Sequence, residues 1–384
     1  MSDLRRILFI TGTRADFGKL KSLILACKHS GNFDIQVFVT GMHMHTRYGS
    51  TWIEVQKAGL SANEIFRYIN FTDEARMDLT LSHTIEGFSN YVQEERPDLI
   101  VVHGDRAEAL AGAIVGAMNN IIVAHIEGGE LSGTIDEIIR HSISKMSHCH
   151  FVANQEAKNR LIQMGEQEDS VLVIGSPDVD VMLSERLPSL EDTIKRYDVP
   201  FDHKFGIFLF HPVTTDLINT TLHAKLLVEQ LLKSEHSFIV VRPNSDTGAH
   251  LVDREIAKLE DHERFRVYPS IRFEYFLTLL KNSCVIVGNS SAGIREAPYY
   301  GTHTINVGSR QKGRSKDPEI INIPDPTDSE IAMAIERTMT GPRRKTVMAY
   351  GDGNSDKRFL EEISKEKFWN RPTQKQFVDF EITD

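Results

Sequence analysis

The chain has 384 residues, of which 40% are hydrophobic and 26% charged, and this predicts two globular domains. Its formal net charge of −10 excludes a general nucleic-acid binder or a protein held on an anionic membrane, because both need a basic surface. The apolar runs are too short to cross a membrane, and the N-terminal residues lack a signal-peptide pattern. The 3 cysteines are too few and too dispersed for a disulfide framework. We therefore expect a reduced, cytoplasmic protein of enzyme size.

The first half of the chain alternates short apolar runs with segments of helical period. Six runs are predicted as strands, at 6–11, 33–41, 98–104, 121–127, 149–155 and 170–175. The segments between them that are predicted as helices include 17–28, 80–95, 107–118 and 135–146. Strands that are apolar throughout and alternate with helices are typical of a parallel sheet covered on both faces.

The polar stretch 184–203 contains two prolines and interrupts this alternation, so we predict a linker there. A second series of strands follows, at 204–212, 236–244, 265–270, 284–289 and 302–308. The fold class is therefore α/β, with two doubly wound Rossmann-like domains that face a cleft. We expect the first domain at 1–185 and the second at 200–365, with a C-terminal helix at about 366–384 packing back on the first.

In doubly wound sheets, ligands bind beyond the carboxyl ends of the strands, so the residues that follow each strand are the candidates. After the first strand, Gly12 allows a tight turn and Arg14 lies near the start of a helix, where it suits either an anion site or an ordinary surface. The segment does not match GxGxxG, which disfavours a dinucleotide enzyme. Asp105 follows the third strand and could simply cap the next helix.

The fourth predicted strand is followed by Glu127 and a Gly-Gly turn. Thr134 and Glu137 then form a capping-box pattern, and Asp136 lies in the first helical turn with Arg140 one turn later on the same face. The helix has an apolar stripe that we predict to be buried, formed by Ile135, Ile138, Ile139, Ile143 and Met146.

Three carboxylates, those of Asp105, Glu127 and Asp136, can thus converge at one edge of the first sheet. Neighbouring carboxylates acquire different pKa values, which supplies an acid and a base at neutral pH. The alternative is a solvated acidic loop.

In the second half, His211 ends one strand, and Ser290 and Ser291 open a helix after another. Two hydroxyls beside free backbone N–H groups suit a diphosphate, and Glu296, one to two turns later, could accept both hydroxyls of a ribose. A plain helix cap explains one of the serines but not the second.

Histidines are frequent, and two pairs are spaced i, i+2, at 43 and 45 and at 148 and 150. Zinc sites need further converging ligands, which the sequence does not indicate, so we predict no metal site.

The motifs GTRADFGKL, HGDRAEAL, HIEGGELSGTIDEIIRHSISK, GSPDVD, FHPVTTD, RPNSDTG, GNSSAGIREAP, NVGSRQKGR and YGDGN occur in this order. Together they resemble the hydrolysing UDP-N-acetylglucosamine 2-epimerases of bacterial sialic-acid biosynthesis, from about residue 6 to 370. The resemblance implies a glycosyltransferase-B-like fold. It also implies conversion of UDP-GlcNAc and water to N-acetylmannosamine and UDP, by anti elimination to a 2-acetamidoglucal and then syn hydration.

The resemblance further implies the roles of individual residues. Asp105, Glu127, Asp136 and His211 match catalytic residues of the family. The residues that match substrate or UDP contacts are Arg14, Arg106, Arg140, Asn244, Ile271, Phe276, Ser290, Ser291, Gly293, Glu296 and Arg310, with Phe276 at the uracil pocket. The family implies no cofactor and no metal, and a homo-oligomer, either dimer or tetramer.

Alternatives remain open on the reaction. Non-hydrolysing relatives carry an HVEAGLR-type loop where this chain has HIEGGELSGT, which favours release of free sugar. A neighbouring branch acts on UDP-2,4-diacetamido-2,4,6-trideoxyglucose in legionaminic acid synthesis, and no quoted motif separates the two substrates. A retaining glycosyltransferase would not need the three carboxylates, and a catalytically silent UDP-sugar sensor would be expected to lack some of them.

Overall fold

The computed structural model describes residues 4–46, 49–70, 76–132, 135–201, 204–243 and 248–379. The chain divides into two compact units, one formed by Met1–Leu183 and Tyr350–Asp384 and the other by Ser184–Ala349. No helix among these described ranges is long and apolar enough to span a membrane.

The first unit contains a parallel sheet of seven strands. They are β1 (Arg5–Thr11), β2 (Phe33–Val39), β3 (Ile65–Arg67), β4 (Leu99–His103), β5 (Ile122–Ile126), β6 (Cys149–Val152) and β7 (Val171–Val173). Their order is β3-β2-β1-β4-β5-β6-β7, so the direction of winding reverses between β1 and β4. The six predicted strands of this half are present. The sequence pattern missed β3, which has three residues, two of them exposed.

Helices connect these strands. They are α1 (Arg14–Ser30), α2 (Trp52–Lys57), α3 (Met77–Glu95), α4 (Ala107–Met118), α5 (Ile135–Met146), α6 (Gln155–Gln163) and α7 (Pro177–Met182). The Thr13 hydroxyl caps α1 by accepting a hydrogen bond from the Asp16 N–H at 3.2 Å, so the helix begins directly after the turn that follows β1.

The second unit repeats this architecture with six parallel strands. They are β8 (Phe205–Leu209), β9 (Ser237–Val241), β10 (Phe265–Tyr268), β11 (Val285–Gly288), β12 (His303–Val307) and β13 (Ile321–Ile323). Their order is β10-β9-β8-β11-β12-β13, with the reversal between β8 and β11. The helices are α8 (Leu190–Tyr197), α9 (Leu217–Lys233), α10 (Ala249–Ile256), α11 (Phe273–Asn282), α12 (Ala292–Arg295), α13 (Ala297–Tyr300) and α14 (Asp328–Thr340). Two doubly wound Rossmann-like domains confirm the predicted fold class.

The stretch predicted as a linker, 184–203, belongs to the second unit, which begins at Ser184. It contains α8, whose Leu190, Ile194 and Tyr197 pack against the core of that unit. Their spacing places them on one helical face. The residues between them are polar, so the sequence pattern did not indicate a helix here.

The chain returns to the first unit at Tyr350, and residues 350–365 belong to that unit. The sequence had instead placed them in the second domain. The return segment contains α15 (Ser355–Ile363) and α16 (Glu366–Trp369). Phe359, Ile363 and Phe368 are buried in the core beside β1 and β6. The Asp180 carboxylate accepts hydrogen bonds from the start of α15, including one from the Ser355 N–H at 2.9 Å.

The apolar stripe predicted on α5 is only partly buried. Ile139 and Ile143 are in the core, whereas Ile135 is 54% and Ile138 65% exposed. Ile138 points about 100° away from Ile139 around the helix, and Ile135 is the first helical residue. The stripe is therefore wider than the face that α4 and the sheet cover.

Candidate active site

Three buried ionisable side chains, joined by hydrogen bonds, lie at the carboxyl ends of β1, β4 and β5. They are Asp16, His103 and Glu127. His103 ends β4 and places Nδ1 2.7 Å from Asp16 Oδ1 and Nε2 3.1 Å from Glu127 Oε2. Asp16 is held in the first turn of α1, where its other oxygen accepts the Gly12 N–H at 3.0 Å. Glu127 follows β5 with a left-handed φ of 60°, a conformation that costs a non-glycine residue on the order of 1 kcal/mol.

The charge of this group follows from its contacts. Burial by itself would lower the pKa of His103, but the hydrogen bonds and charges of Asp16 and Glu127 outweigh burial and raise that pKa to about 9. Burial opposes the ionised form of Asp16, yet the hydrogen bond from His103 lowers the pKa of Asp16 overall. His103 is therefore an imidazolium between two carboxylates at neutral pH.

Further donors surround Glu127. Lys19 Nζ lies 3.0 Å from Glu127 Oε2 and 2.7 Å from Asp178 Oδ2, and the Ser176 hydroxyl donates to Glu127 Oε1. Glu127 is only 2% exposed, so these donors replace water around its carboxylate. Asp16, Lys19 and His103 are not among the predicted site residues, because nothing in their local sequence pattern shows a shared partner.

Asp105 joins the same edge through Arg140. Arg140 of α5 forms an ion pair with Asp105 and donates to the Glu127 carbonyl at 2.7 Å. Burial opposes the charge of Arg140, but Asp105, Glu130 and Glu127 raise its pKa overall. One guanidinium thus links the Asp105 carboxylate to the backbone of Glu127. The side chain of Asp105 is 25% exposed, against 3% for that of Glu127.

Asp136, the third predicted carboxylate, lies in the first turn of α5 and is half-buried. Arg140 is one turn further on the same helix, as the spacing predicts. The predicted cap residue Thr134 lies outside the described residues.

Two of the predicted contact residues, Arg14 and Arg106, lie at the starts of α1 and α4. Arg14 Nε is 3.0 Å from Glu54 Oε2, and Arg106 Nε is 3.3 Å from Glu108 Oε2. Glu108 is buried, and a Cβ at Gly12 would lie 2.6 Å from its carboxyl carbon. Gly12 therefore leaves room for this carboxylate at the end of β1. The two arginines remain partly exposed beside it.

In the second unit, Asn289 ties together the ends of β8 and β11. Its Oδ1 accepts the His211 N–H at 2.7 Å, and its Nδ2 donates to the His211 carbonyl at 2.8 Å. A Cβ at Gly288, where φ is 139°, would lie 2.0 Å from the Leu209 oxygen, so only glycine fits between the two strand ends.

His211 and Arg310 are neighbours beside Asn289. Burial and the charge of Arg310 lower the pKa of His211 to about 3, so its imidazole is neutral at physiological pH. Arg310 Nη1 lies 3.3 Å from the Asn289 carbonyl oxygen. A neutral imidazole and a guanidinium thus lie at the carboxyl edge of the second sheet.

The two predicted serines occupy the turn before α12. The Ser290 hydroxyl accepts the Ala292 N–H at 3.2 Å, whereas the Ser291 side chain makes no capping hydrogen bond to this helix. Glu296 is 8% exposed between α12 and α13. Gly293 has a packing role, because a Cβ there would lie 2.7 Å from the Thr304 methyl group.

The remaining predicted contacts are placed as follows. Phe276 of α11 is 9% exposed and belongs to the core of the second unit, and Ile271 packs against the same core from just before that helix. Asn244 lies outside the described residues. Phe276 and Ile271 therefore stabilise the core of the second unit.

The histidine pairs have other partners. His43 contacts the hydroxyls of Thr11 and Thr51 at 3.1 and 2.9 Å, and His150 Nε2 lies 3.0 Å from Glu166. In the described part of the chain, no three His, Cys, Asp or Glu side chains are grouped as metal ligands.

Comparison with known proteins gives consistent matches. The family model described as UDP-N-acetylglucosamine 2-epimerase matches residues 25–364. A UDP-N-acetylglucosamine 2-epimerase of Neisseria meningitidis serogroup B (strain ATCC BAA-335 / MC58) is 44% identical, over 99% of this chain and 100% of the relative. A UDP-N,N'-diacetylbacillosamine 2-epimerase (hydrolyzing) of Legionella pneumophila is 35% identical, over 92% of this chain and 94% of the relative.

A solved structure shares the fold. The crystal structure of UDP-GlcNAc 2-epimerase from Neisseria meningitidis bound to UDP-GlcNAc is 19% identical, with a TM-score of 0.78, over 94% of this chain and 99% of that one. The family match spans most of the chain, and it agrees with the two doubly wound sheets and the polar residues at their switch points. The chain therefore belongs to the UDP-N-acetylglucosamine 2-epimerase family.

Proposed function

We propose that the protein is a hydrolysing UDP-GlcNAc 2-epimerase, which converts UDP-GlcNAc and water to N-acetylmannosamine and UDP. The observation that carries this proposal is the carboxylate cluster of the first unit, where Glu127 binds His103 and Lys19 while Arg140 joins Glu127 to Asp105. A glycosyltransferase of this fold has no step that needs such a cluster. Proton removal and return at C2 do need it.

The reaction has two balanced steps. In the first, an enzyme carboxylate takes the C2 proton while the C1–O bond to UDP breaks, which leaves 2-acetamidoglucal and UDP. In the second, water bonds through its oxygen to C1 and gives up one proton to an enzyme base. An enzyme acid delivers a proton to C2 on the opposite face from the one that lost it. The product is N-acetylmannosamine.

The exposure of the carboxylates suggests their roles. We assign proton exchange with the sugar to Asp105 and Asp136, because each is only partly buried. Glu127 is enclosed by donors, and in this proposal it remains ionised and holds His103 and Lys19 in position. Its negative charge also fixes Arg140, whose guanidinium orients Asp105.

The second unit supplies groups for the leaving UDP. Arg310 carries positive charge, and the neutral imidazole of His211 can donate a hydrogen bond to a phosphate oxygen without itself losing a proton. Ser290 and Ser291 offer hydroxyls and nearby backbone N–H groups to the diphosphate. We assign Glu296 to the ribose and Phe276 with Ile271 to the base side of the site. Arg14 and Arg106 would contact the substrate from the first unit.

Two features favour hydrolysis and this substrate. The HIEGGELSGT loop differs from the HVEAGLR-type loop of non-hydrolysing relatives, and the Legionella relative is described as hydrolyzing. Identity to the UDP-N-acetylglucosamine 2-epimerase, at 44%, exceeds the 35% to the diacetylbacillosamine enzyme. The second candidate is the same reaction on the 2,4-diacetamido sugar nucleotide. Free N-acetylmannosamine would feed the synthesis of sialic acid for a surface polysaccharide.

The deciding experiment is proton NMR of the enzyme with UDP-GlcNAc in D₂O, without acceptor or added metal. We expect UDP and free N-acetylmannosamine that carries deuterium at C2. Accumulation of UDP-ManNAc would refute hydrolysis. Turnover of only the 2,4-diacetamido sugar nucleotide would establish the second candidate instead.

Removal of each carboxylate tests the first unit. Asp105→Asn and Asp136→Asn should each lower kcat by about 10²–10⁴-fold, because acid–base catalysis contributes that much. Glu127→Gln should also lower kcat, because it removes the charge that holds His103, Lys19 and Arg140 in position. Binding of UDP, followed by calorimetry, should persist. Glu168→Gln, at a residue whose side chain is 77% exposed, is the matched control and should keep full turnover. Wild-type kcat in any of the three variants would remove that residue from the mechanism.

The ribose assignment is tested separately. Glu296→Ala should weaken UDP binding by about tenfold, as expected for the loss of hydrogen bonds to a charged acceptor. Glu229→Ala, on the solvent-facing side of α9 with its side chain 42% exposed, is the control. An unchanged UDP dissociation constant in Glu296→Ala would contradict the assignment, and titration calorimetry measures both.

A further inference from the structure

A pocket of about 520 Å³ lies at the carboxyl ends of β12 and β13 in the second unit. Its walls come from the start of α9 and from the segments that follow these two strands. Its volume is typical of a small-molecule site. His211, Ser290, Ser291, Glu296 and Arg310 do not line it, so it is distinct from the groups assigned to UDP.

Asn306 in the wall has an unused acceptor. It is 4% exposed, and within the described ranges its Oδ1 has no hydrogen-bond partner. Its Nδ2 donates to Oδ1 of Asn322, the residue paired with it in the sheet, at 2.8 Å. Asn322 Nδ2 in turn lies 3.3 Å from the Ile320 carbonyl, which fixes the orientation of both amides. A buried acceptor left without a donor costs about 1–3 kcal/mol, so this site favours a ligand that donates.

The other lining groups define the class of ligand. Among the described residues of the lining, Asp216 and Asp325 contribute two carboxylates and Lys312 one cation. Burial lowers the pKa of His223 although both carboxylates oppose the shift, so this imidazole is neutral at physiological pH. The lining therefore has an excess of acceptors and disfavours a phosphate or another anion.

Apolar surface completes the lining. Ile294 and Ile320 border the same pocket as the amides and carboxylates. Ring hydroxyls can donate to carboxylate and amide oxygens, while the C–H face of a sugar ring packs on aliphatic side chains. An ammonium ligand would use the carboxylates but would leave this apolar surface uncovered.

We propose that this pocket is a second ligand site, which binds an uncharged monosaccharide such as an N-acetylhexosamine. Gln311, in its wall, donates Nε2 to the Asn289 carbonyl at 2.9 Å. Asn289 also holds the backbone of His211, so the pocket is connected to the end of β8 by two successive residues. The choice of an N-acetylhexosamine rests on the proposed function, whereas the pocket and its lining do not.

The test is saturation-transfer NMR of the full chain with N-acetylmannosamine or N-acetylglucosamine, under saturating UDP. Asn306→Ala should weaken sugar binding by about tenfold through loss of the buried acceptor. Asn219→Phe, at an exposed residue of the pocket wall, should abolish binding by filling the entrance. Asp105→Asn, in the first unit, should leave this binding intact and serves as the control.

Three results would overturn the proposal. One is sugar binding that is lost in Asp105→Asn and kept in Asn219→Phe, which would place the sugar only at the carboxylate cluster. Another is displacement of the sugar by inorganic phosphate in Asp105→Asn, which would indicate an anion site. The third is no binding of either sugar at millimolar concentration. If Asn306→Ala does not fold, the surface variant Asn219→Phe still decides the question.

Discussion

At the scale of single residues, the centre of the candidate active site is a protonated histidine between two carboxylates. His103 bonds to Asp16 and Glu127, and all three are buried. An imidazolium in this position neutralises part of the negative charge that Glu127 and Asp105 bring to the same edge. It therefore reduces the repulsion between the carboxylates where a substrate would bind.

This arrangement predicts a pH-dependent stability. The folded pKa of His103, about 9, exceeds the ordinary value of 6.5, so its contribution is complete below pH 6.5 and is lost as the pH rises through 9. The shift corresponds to roughly 3 kcal/mol. The difference in unfolding free energy between wild type and His103→Gln should thus be larger at pH 6 than at pH 10, as measured by denaturant unfolding. The exposed His29→Gln is the control, and an equal difference at both pH values would contradict a charged His103.

At the scale of elements, the second unit depends on close approach between β8 and β11. Gly288 has no side chain to separate the strands, and Asn289 then bonds both backbone groups of His211. In the first unit, Gly12 follows β1 and lies beside the carboxylate of Glu108 on α4. Both switch points are therefore built from a glycine at a strand end followed closely by polar residues.

Gly288→Ala should be severely destabilising, by more than about 3 kcal/mol, because its Cβ would meet the Leu209 carbonyl at 2.0 Å and its φ is 139°. The matched control is Gly18→Ala, within α1, where nothing lies within 4 Å of the added Cβ. This change should stabilise the protein by about 0.5–1 kcal/mol through helix propensity. Thermal unfolding measures both, and similar melting temperatures for the two variants would contradict the close contact.

At the scale of the whole molecule, the chain leaves the first unit at Leu183 and returns to it at Tyr350. The return segment supplies core residues, since the Phe359 ring lies 4.7 Å from that of Phe151 on β6 in an edge-to-face arrangement. Lys375 continues this attachment by donating to the Ser144 and Lys145 carbonyls at the end of α5. The first unit is thus completed only when the last part of the chain has been made.

Phe359→Ala tests this completion. Because Phe359 is fully buried, its truncation should cost about 3–5 kcal/mol of unfolding free energy. Met348→Ala, at a residue that is 59% exposed just before the return, should change the stability by less than about 0.5 kcal/mol. Denaturant unfolding monitored by circular dichroism compares them. A cost below about 1 kcal/mol for Phe359→Ala would show that α15 is not part of this core.

Local patterns determined most of the architecture. Apolar runs of strand length alternate with segments of helical period, and this pattern predicts two parallel sheets. A buried strand can be recognised locally, because its own residues are apolar. The motifs after the strands likewise predict Asp105, Glu127, His211 and Ser290 as site residues, because a parallel sheet places strand ends at one edge. Resemblance over these motifs indicated the family, which the comparisons confirm.

Only the tertiary structure decided which groups are partners. Asp16 and His103 are 87 residues apart and Asp105 and Arg140 are 35 apart, so no local pattern could show that they touch. It also decided that Ile135 and Ile138 are exposed, that α8 packs on the second unit, and that Phe359 completes the first. The burial and charge of a side chain depend on neighbours that are distant in the sequence. Periodicity indicates only whether each segment prefers to form a helix or a strand.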